Sequence, residues 1–264
     1  MVSKKIVLIS FVTITLTGVH GQPPAGSAFR ADSRSDVASP APKPLPSTSL
    51  SPEMRGDILM ARKMYREAIE TYSEGPKESA VLANKIGIGY HQLMALELAK
   101  KSYDRALKLK PDYAEAVNNL GTVYYARKQY RRAVSQYRKA LVLSPNAASI
   151  HSNLGTAHFA RKKYSDALES YQKALALDPE VFEHRGAQGV LLQERSVEER
   201  AKFHFYLAKT YAKAGNTDRA LAYMRKCLEE GFKEKNKFME DAEFANMHEL
   251  PEFKELLAME PRVL

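Results

Sequence analysis

The sequence predicts an all-α protein in which antiparallel helix hairpins stack into an elongated α-solenoid. Three observations carry that expectation. The blocks ANKIGIGYHQLMALELAKKSYDRALKLKP, VNNLGTVYYARKQYRRAVSQYRKALVLSP and HSNLGTAHFARKKYSDALESYQKALALDP follow one another at a spacing of 34 residues. Within each, apolar residues recur at helical spacing on either side of a short polar turn, such as Arg127-Lys128-Gln129 or Arg161-Lys162-Lys163. Each block closes on a proline (Pro111, Pro145, Pro179), which stops the second helix and opens the turn into the next hairpin.

The register is tight. Gly87, Gly121 and Gly155 coincide, as do Ile86, Leu120 and Leu154 just before them. Ala99, Ala133 and Ala167 coincide, then Tyr103, Tyr137 and Tyr171, then Ala106, Ala140 and Ala174. Glycine and the first alanine are small where the two helices cross; a larger side chain would separate axes that pack at about 8–10 Å. Tyrosines and leucines fill the space that remains. The pattern L-G-x-x-Y…A-x-x-x-F/Y-x-x-A…P resembles the tetratricopeptide (TPR) repeat, with other residues where many members carry Trp. That resemblance implies a right-handed superhelix and a non-catalytic protein-interaction scaffold. It also implies that the first helix of each hairpin lines a concave groove for an extended partner peptide.

Weaker copies flank the three blocks. Upstream, Gly56, Leu59, Tyr65, Ala68 and Tyr72 occupy the matching columns; downstream, Leu207, Ala208, Tyr211, Ala220 and Cys227 do so. The expected array covers 53–181, with repeats near 49–79, 80–113, 114–147 and 148–181, and a final hairpin at 201–234. The period breaks at 182–200, where Val190, Leu191 and Leu192 could cover exposed core or a groove. Ser196 followed by Glu199 is a capping box, so a helix is expected to begin there. The segment 235–264 reads as short amphipathic helices that cap the last hydrophobic face of the stack.

Before the array, 1–21 reads as a cleavable secretory signal: Lys4 and Lys5 precede an uncharged apolar run at 6–19, shorter than the roughly 20 residues a membrane-spanning helix needs. Cleavage is expected before Gln22, giving an exported protein, periplasmic or secreted; an uncleaved N-terminal anchor is the alternative. A Pro/Ser/Ala-rich stretch at 22–52, with Pro40, Pro42, Pro44 and Pro46, reads as a disordered tether. A short leader followed by such a tether suits a bacterial envelope protein.

Chemistry is sparse. Cys227 is the sole cysteine, so no internal disulfide forms, and it falls in a small-residue packing column. Gly87-Ile88-Gly89 lies within a helical pattern and lacks the third glycine of a nucleotide fingerprint. His151 and His158 could share a helix face but have no placed carboxylate or thiol, so neither a metal nor a cofactor is expected. The chain is read as not an enzyme. The formal charge of +9 reads as spread along the chain, with basic runs near the inter-helix turns that allow weak contact with an anionic surface. Nucleic acid is not expected, for want of a basic face interleaved with aromatics.

The working surface is placed in the groove. Family positions carried onto this sequence give Asn84 and Lys85 in the second repeat, and Asn118, Asn119, Thr122 and Tyr125 in the third. The fourth repeat contributes Ser152, Asn153, Thr156 and Phe159, and the last Phe205, Tyr206 and Lys209. Asn119 and Asn153 fall at one groove position in adjacent repeats, resembling an asparagine ladder; an amide donates and accepts, so it can bond a peptide backbone of any sequence. The aromatics are expected to anchor partner side chains.

Overall fold

The computed structural model describes residues 50–183 and 196–259. The leader, nearly all of the tether, Val190, Leu191, Leu192 and the last five residues lie outside the described residues. Within them the chain forms five helix hairpins and a helical cap. The hairpins are α1 (Pro52–Ala61) with α2 (Tyr65–Ser73), α3 (Ala80–Gln92) with α4 (Leu96–Leu109), and α5 (Ala114–Ala126) with α6 (Tyr130–Leu143). They continue with α7 (Ala148–Ala160) and α8 (Tyr164–Leu177), then α9 (Val197–Lys213) and α10 (Thr217–Glu229). The cap comprises α11 (Lys237–Glu240), a 3-10 helix (Ala242–Met247) and α12 (Pro251–Ala258). Each helix packs mainly on its hairpin partner, and each of the first four hairpins hands over to the next helix in line.

Local chemistry accounts for the ends. Ser51, Ser79, Ser196 and Asn216 accept backbone N–H bonds three residues on, filling donors that a helix N-terminus leaves orphaned. Helix α9 therefore starts at Val197, four residues before the 201 at which the last repeat is expected. The turn inside every hairpin repeats one device. Lys63, Met94, Lys128, Lys162 and Gly215 have φ of 61°, 57°, 59°, 59° and 75°. In the third hairpin the Lys128 N–H bonds the Tyr125 carbonyl and the Gln129 N–H bonds the Tyr124 carbonyl, closing a Schellman motif. Only the last hairpin uses glycine for this left-handed residue. A side chain there costs about 1 kcal/mol, which the other four turns tolerate.

The interior follows the columns. A Cβ added at Gly56, Gly87, Gly121 or Gly155 would lie 2.2, 2.5, 2.6 or 2.5 Å from Cε1 of Tyr72, Tyr103, Tyr137 or Tyr171, well inside contact distance. Each tyrosine ring thus presses against the bare backbone of its partner helix. In the last hairpin the same columns hold Ala208 and Met224, both fully buried. A thin, flexible thioether makes room for the extra methyl. Cys227, also fully buried, takes an alanine column, and burial pushes its thiol pKa well above the ordinary value, with Glu230 adding to the shift.

The cores are unequal. One large cluster joins Phe159 and Tyr171 to Phe203, Phe205, Tyr211 and the cap residues Phe238, Phe244 and Phe253. The first hairpins share much smaller clusters, such as Ala68, Tyr72 and Leu82. The cap earns its place through aromatics: Phe205 stacks on Phe232 at 4.8 Å and meets Phe238 at 5.1 Å and Phe244 at 5.9 Å.

Candidate partner-binding groove

The first helices α3, α5 and α7 lie side by side, and their facing residues include most of the candidate positions. The asparagines form a ladder, but an internal one. Asn119 Nδ2 donates to Asn84 Oδ1 and Asn153 Nδ2 donates to Asn118 Oδ1, both at 3.0 Å and both across 35 residues. Asn118 Nδ2 donates to Asn119 Oδ1 at 3.3 Å, and Asn84 Nδ2 ends the chain on Glu115 Oε1 at 3.0 Å. An amide can relay in this way because it carries both a donor and an acceptor. Each rung joins one repeat to the previous one on the diagonal, at the 34-residue period plus one, so the ladder pins neighbouring first helices together. Asn84 and Asn153 are only 1% exposed, while Asn118 and Asn119 are half-buried at the surface. Asn153 Oδ1 has no hydrogen-bond partner among the described residues.

The other positions divide by depth. Thr122 and Ser152 are half-buried, and the Thr122 hydroxyl donates to the Asn119 carbonyl at 2.7 Å. Thr156 is buried, donates to the Ser152 carbonyl and accepts from the Tyr171 hydroxyl at 3.4 Å. Tyr125, Phe159 and Phe205 are core residues rather than groove anchors. Tyr125 packs 5.1 Å from Tyr130, and Phe159 lies 5.5 Å from both Tyr164 and Phe203. The reason is position: Tyr125 and Phe159 occupy the last turn of their helices, where an aromatic on the returning helix takes up their faces. Tyr206 is half-buried and stacks on Tyr164 at 5.1 Å.

Both candidate lysines are already paired. Lys85 Nζ lies 2.8 Å from Glu53 and 2.7 Å from Asp57 of α1. Burial alone would lower its pKa, but bonds to the two carboxylates outweigh burial and raise it. Lys209 Nζ reaches Asp241 at 2.8 Å and Glu243 at 3.2 Å, with the same balance and the same upward direction. The cap thereby packs on α9 and takes up the Lys209 side chain.

The histidines do not converge. His151 Nε2 lies 2.9 Å from the Pro145 carbonyl, whereas His158 is buried with Nδ1 3.5 Å from Asp166. Burial holds the His158 pKa below its ordinary value; Asp166 opposes this while Arg138 and Arg161 reinforce it. The ring is neutral near pH 7. Among the described residues no three His, Cys, Asp or Glu side chains gather in a way that could hold a metal ion.

The geometry defines a class of stacked antiparallel helix pairs in which the first helices of successive pairs α3, α5 and α7 touch one another. Family models for the TPR repeat match residues 90–127 and 121–160, and tetratricopeptide-repeat models match 148–181 and 204–230. This chain is a tetratricopeptide-repeat protein, built on a fold that serves in general as a non-enzymatic protein-interaction module.

No curated protein matches the sequence. Among solved structures it is similar to a crystal structure of MamA, at 20% identity over 66% of this chain and 93% of that one, with a TM-score of 0.45. MamA 41-end from Desulfovibrio magneticus RS-1 gives 22%, 67%, 92% and 0.46 for the same quantities. The first TPR of Spaghetti (RPAP3) bound to HSP90 peptide SRMEEVD gives 23%, 42%, 90% and 0.40.

Proposed function

We propose that this chain is a non-catalytic scaffold that holds an extended segment of a partner protein against α3, α5 and α7. The observation that supports this reading is the asparagine ladder with its unfilled end. Asn118 and Asn119 reach the surface, and Asn153 Oδ1 lies behind them as a buried acceptor without a donor. A buried, unpaired acceptor costs about 1–3 kcal/mol. A partner backbone that exchanges bonds with the surface amides lets the ladder shift and supplies the missing donor, whatever the partner's side chains.

The test is capture of the partner from the source organism's extract by full-length protein and by the Asn119→Ala, Asn153→Ala variant. Partners that depend on the groove are expected to disappear from the variant while its helical circular dichroism stays unchanged. An unaltered set of captured proteins overturns the groove reading. The alternative is a structural subunit of an envelope assembly that uses its outer face or cap; the covered state of α9 favours it, because that part of the groove is taken by the chain's own residues.

We also place the scaffold outside the cytoplasm, on the strength of the charged start and apolar run at 1–21. N-terminal sequencing of the mature protein is expected to begin at Gln22. A mature chain beginning at Met1 overturns the cleaved-export reading and leaves the anchor.

A further inference from the structure

The cations are spread along the chain, but the excess of positive over negative charge is concentrated in its middle. Between Glu115 and Asp166 there is no acidic residue, and nine Arg and Lys fall in that stretch, which equals the net charge of +9 for the whole sequence. These cations sit on the hairpin turns and on the outer side of α6. Arg131, Val134, Arg138 and Val142 form one stripe along that helix, spaced at three and four residues. With Lys139, and with Arg161 at the end of α7, they line an open depression of about 500 Å³. Arg131, Arg138 and Lys139 are exposed and Arg161 half-buried. None of the four side chains makes a hydrogen bond or an ion pair among the described residues. By contrast Arg127, on the neighbouring turn, lies 2.6 Å from Glu97, a charge contact off the line of a hydrogen bond.

Four unneutralised cations facing one hollow repel one another, and nothing acidic within the stretch relieves them. Their chemistry selects an anion. Three are guanidiniums, planar forks that match a carboxylate in two parallel bonds. The hollow also contains apolar surface: Val134 forms part of its lining and Val142 is 82% exposed. A segment carrying carboxylates and an occasional apolar side chain satisfies both. A flat anionic bilayer would meet the rim of a hollow and not its floor, and Val142 is too small for a membrane wedge. Stacked bases find no open ring nearby, because Tyr124 lies under Arg132 and Tyr130 packs on Tyr125.

We propose that the outer face of α6, closed at one side by Arg161, docks a carboxylate-rich, partly apolar segment of a partner protein. This second surface stands apart from the groove along α3, α5 and α7 and holds whether or not that groove is used.

The test is fluorescence anisotropy of a labelled peptide of alternating glutamate and leucine with the full chain at low salt. Arg131→Ser, Arg138→Ser and Arg161→Ser together are expected to weaken binding about tenfold, the sum of three modest exposed charge contacts. A control carrying Arg62→Ser, Arg66→Ser and Lys108→Ser removes the same charge from exposed positions elsewhere and is expected to bind like the wild type. So is the Asn119→Ala, Asn153→Ala variant, which separates failure here from failure of the groove reading. Equal loss in the two triple variants would reduce the effect to net charge and overturn the proposal. Loss in the asparagine variant would place the peptide in the groove and overturn it too. A wild-type chain that ignores the peptide but sediments with phosphatidylserine vesicles would replace it with a lipid surface.

Discussion

Phe205→Ala is expected to destabilise the protein by about 3–5 kcal/mol, the range for removing a buried aromatic ring. Phe205 is 2% exposed and touches Phe232, Phe238 and Phe244 together, so one truncation opens a cavity where α9 meets both the loop after α10 and the cap. The loss should show first as release of the cap. Limited proteolysis is expected to cut between 232 and 250 in the variant under conditions where the wild type resists, and urea unfolding should shift to lower concentration. Once the cap leaves, Lys209 loses Asp241 and Glu243 and the inner face of α9 opens to solvent. A variant with unchanged urea midpoint and unchanged cleavage would show that the cap is held by something other than this aromatic cluster.

The second large effect lies in the repeats. Gly121→Val is expected to cost about 3 kcal/mol or more, at the upper end of overpacking, because a Cβ at that position would lie 2.6 Å from the Tyr137 ring. Tyr137 is fully buried and has nowhere to swing. Its hydroxyl has no hydrogen-bond partner among the described residues, so the ring is held by shape. The molecule contains its own remedy in the last hairpin, where Ala208 and Met224 occupy these columns. Gly121→Ala made together with Tyr137→Met is therefore expected to be less harmful than the two single changes summed, with a coupling of about 1 kcal/mol in a double-mutant cycle. Additive single effects would mean that the glycine does not exist to admit the tyrosine.

The parts of the molecule that were legible from the amino acids are those decided within one hairpin. Gly121 and Tyr137, 16 residues apart, are a local pair whose meaning repeats along the chain, and Ser196 starts α9 through a bond to its own first turn. Groove positions are decided between hairpins, where spacing within one repeat carries less information. Tyr125 and Phe159 have the spacing of groove residues, yet the direction of a side chain in a last helical turn depends on Tyr130 and Tyr164 across the turn. The asparagine columns were visible at 34 residues, but the bonds run on the 35-residue diagonal, which a comparison of like with like passes over. Charge behaves in a related way: the total of +9 conceals its distribution, because what sets the middle of the chain apart is the absence of acids between Glu115 and Asp166.

The uneven partition of the core bears on how the chain comes apart. In a linear stack each hairpin is stabilised mainly by its own packing and by its neighbours, so the weakest end lets go first. Here α1 leaves Met54 and Ile58 largely uncovered, at 52% and 42% exposure, while α9, α10 and the cap share the largest aromatic cluster. The protein is a zipper fastened at its C-terminal end. Thermal opening is therefore expected to start at α1 and α2 and to run toward α9, through the ladder that spans α3, α5 and α7. On the groove proposal, a partner held on that ladder is expected to act as a stop partway along the zipper, lending the loose end a stability that its own small core does not provide.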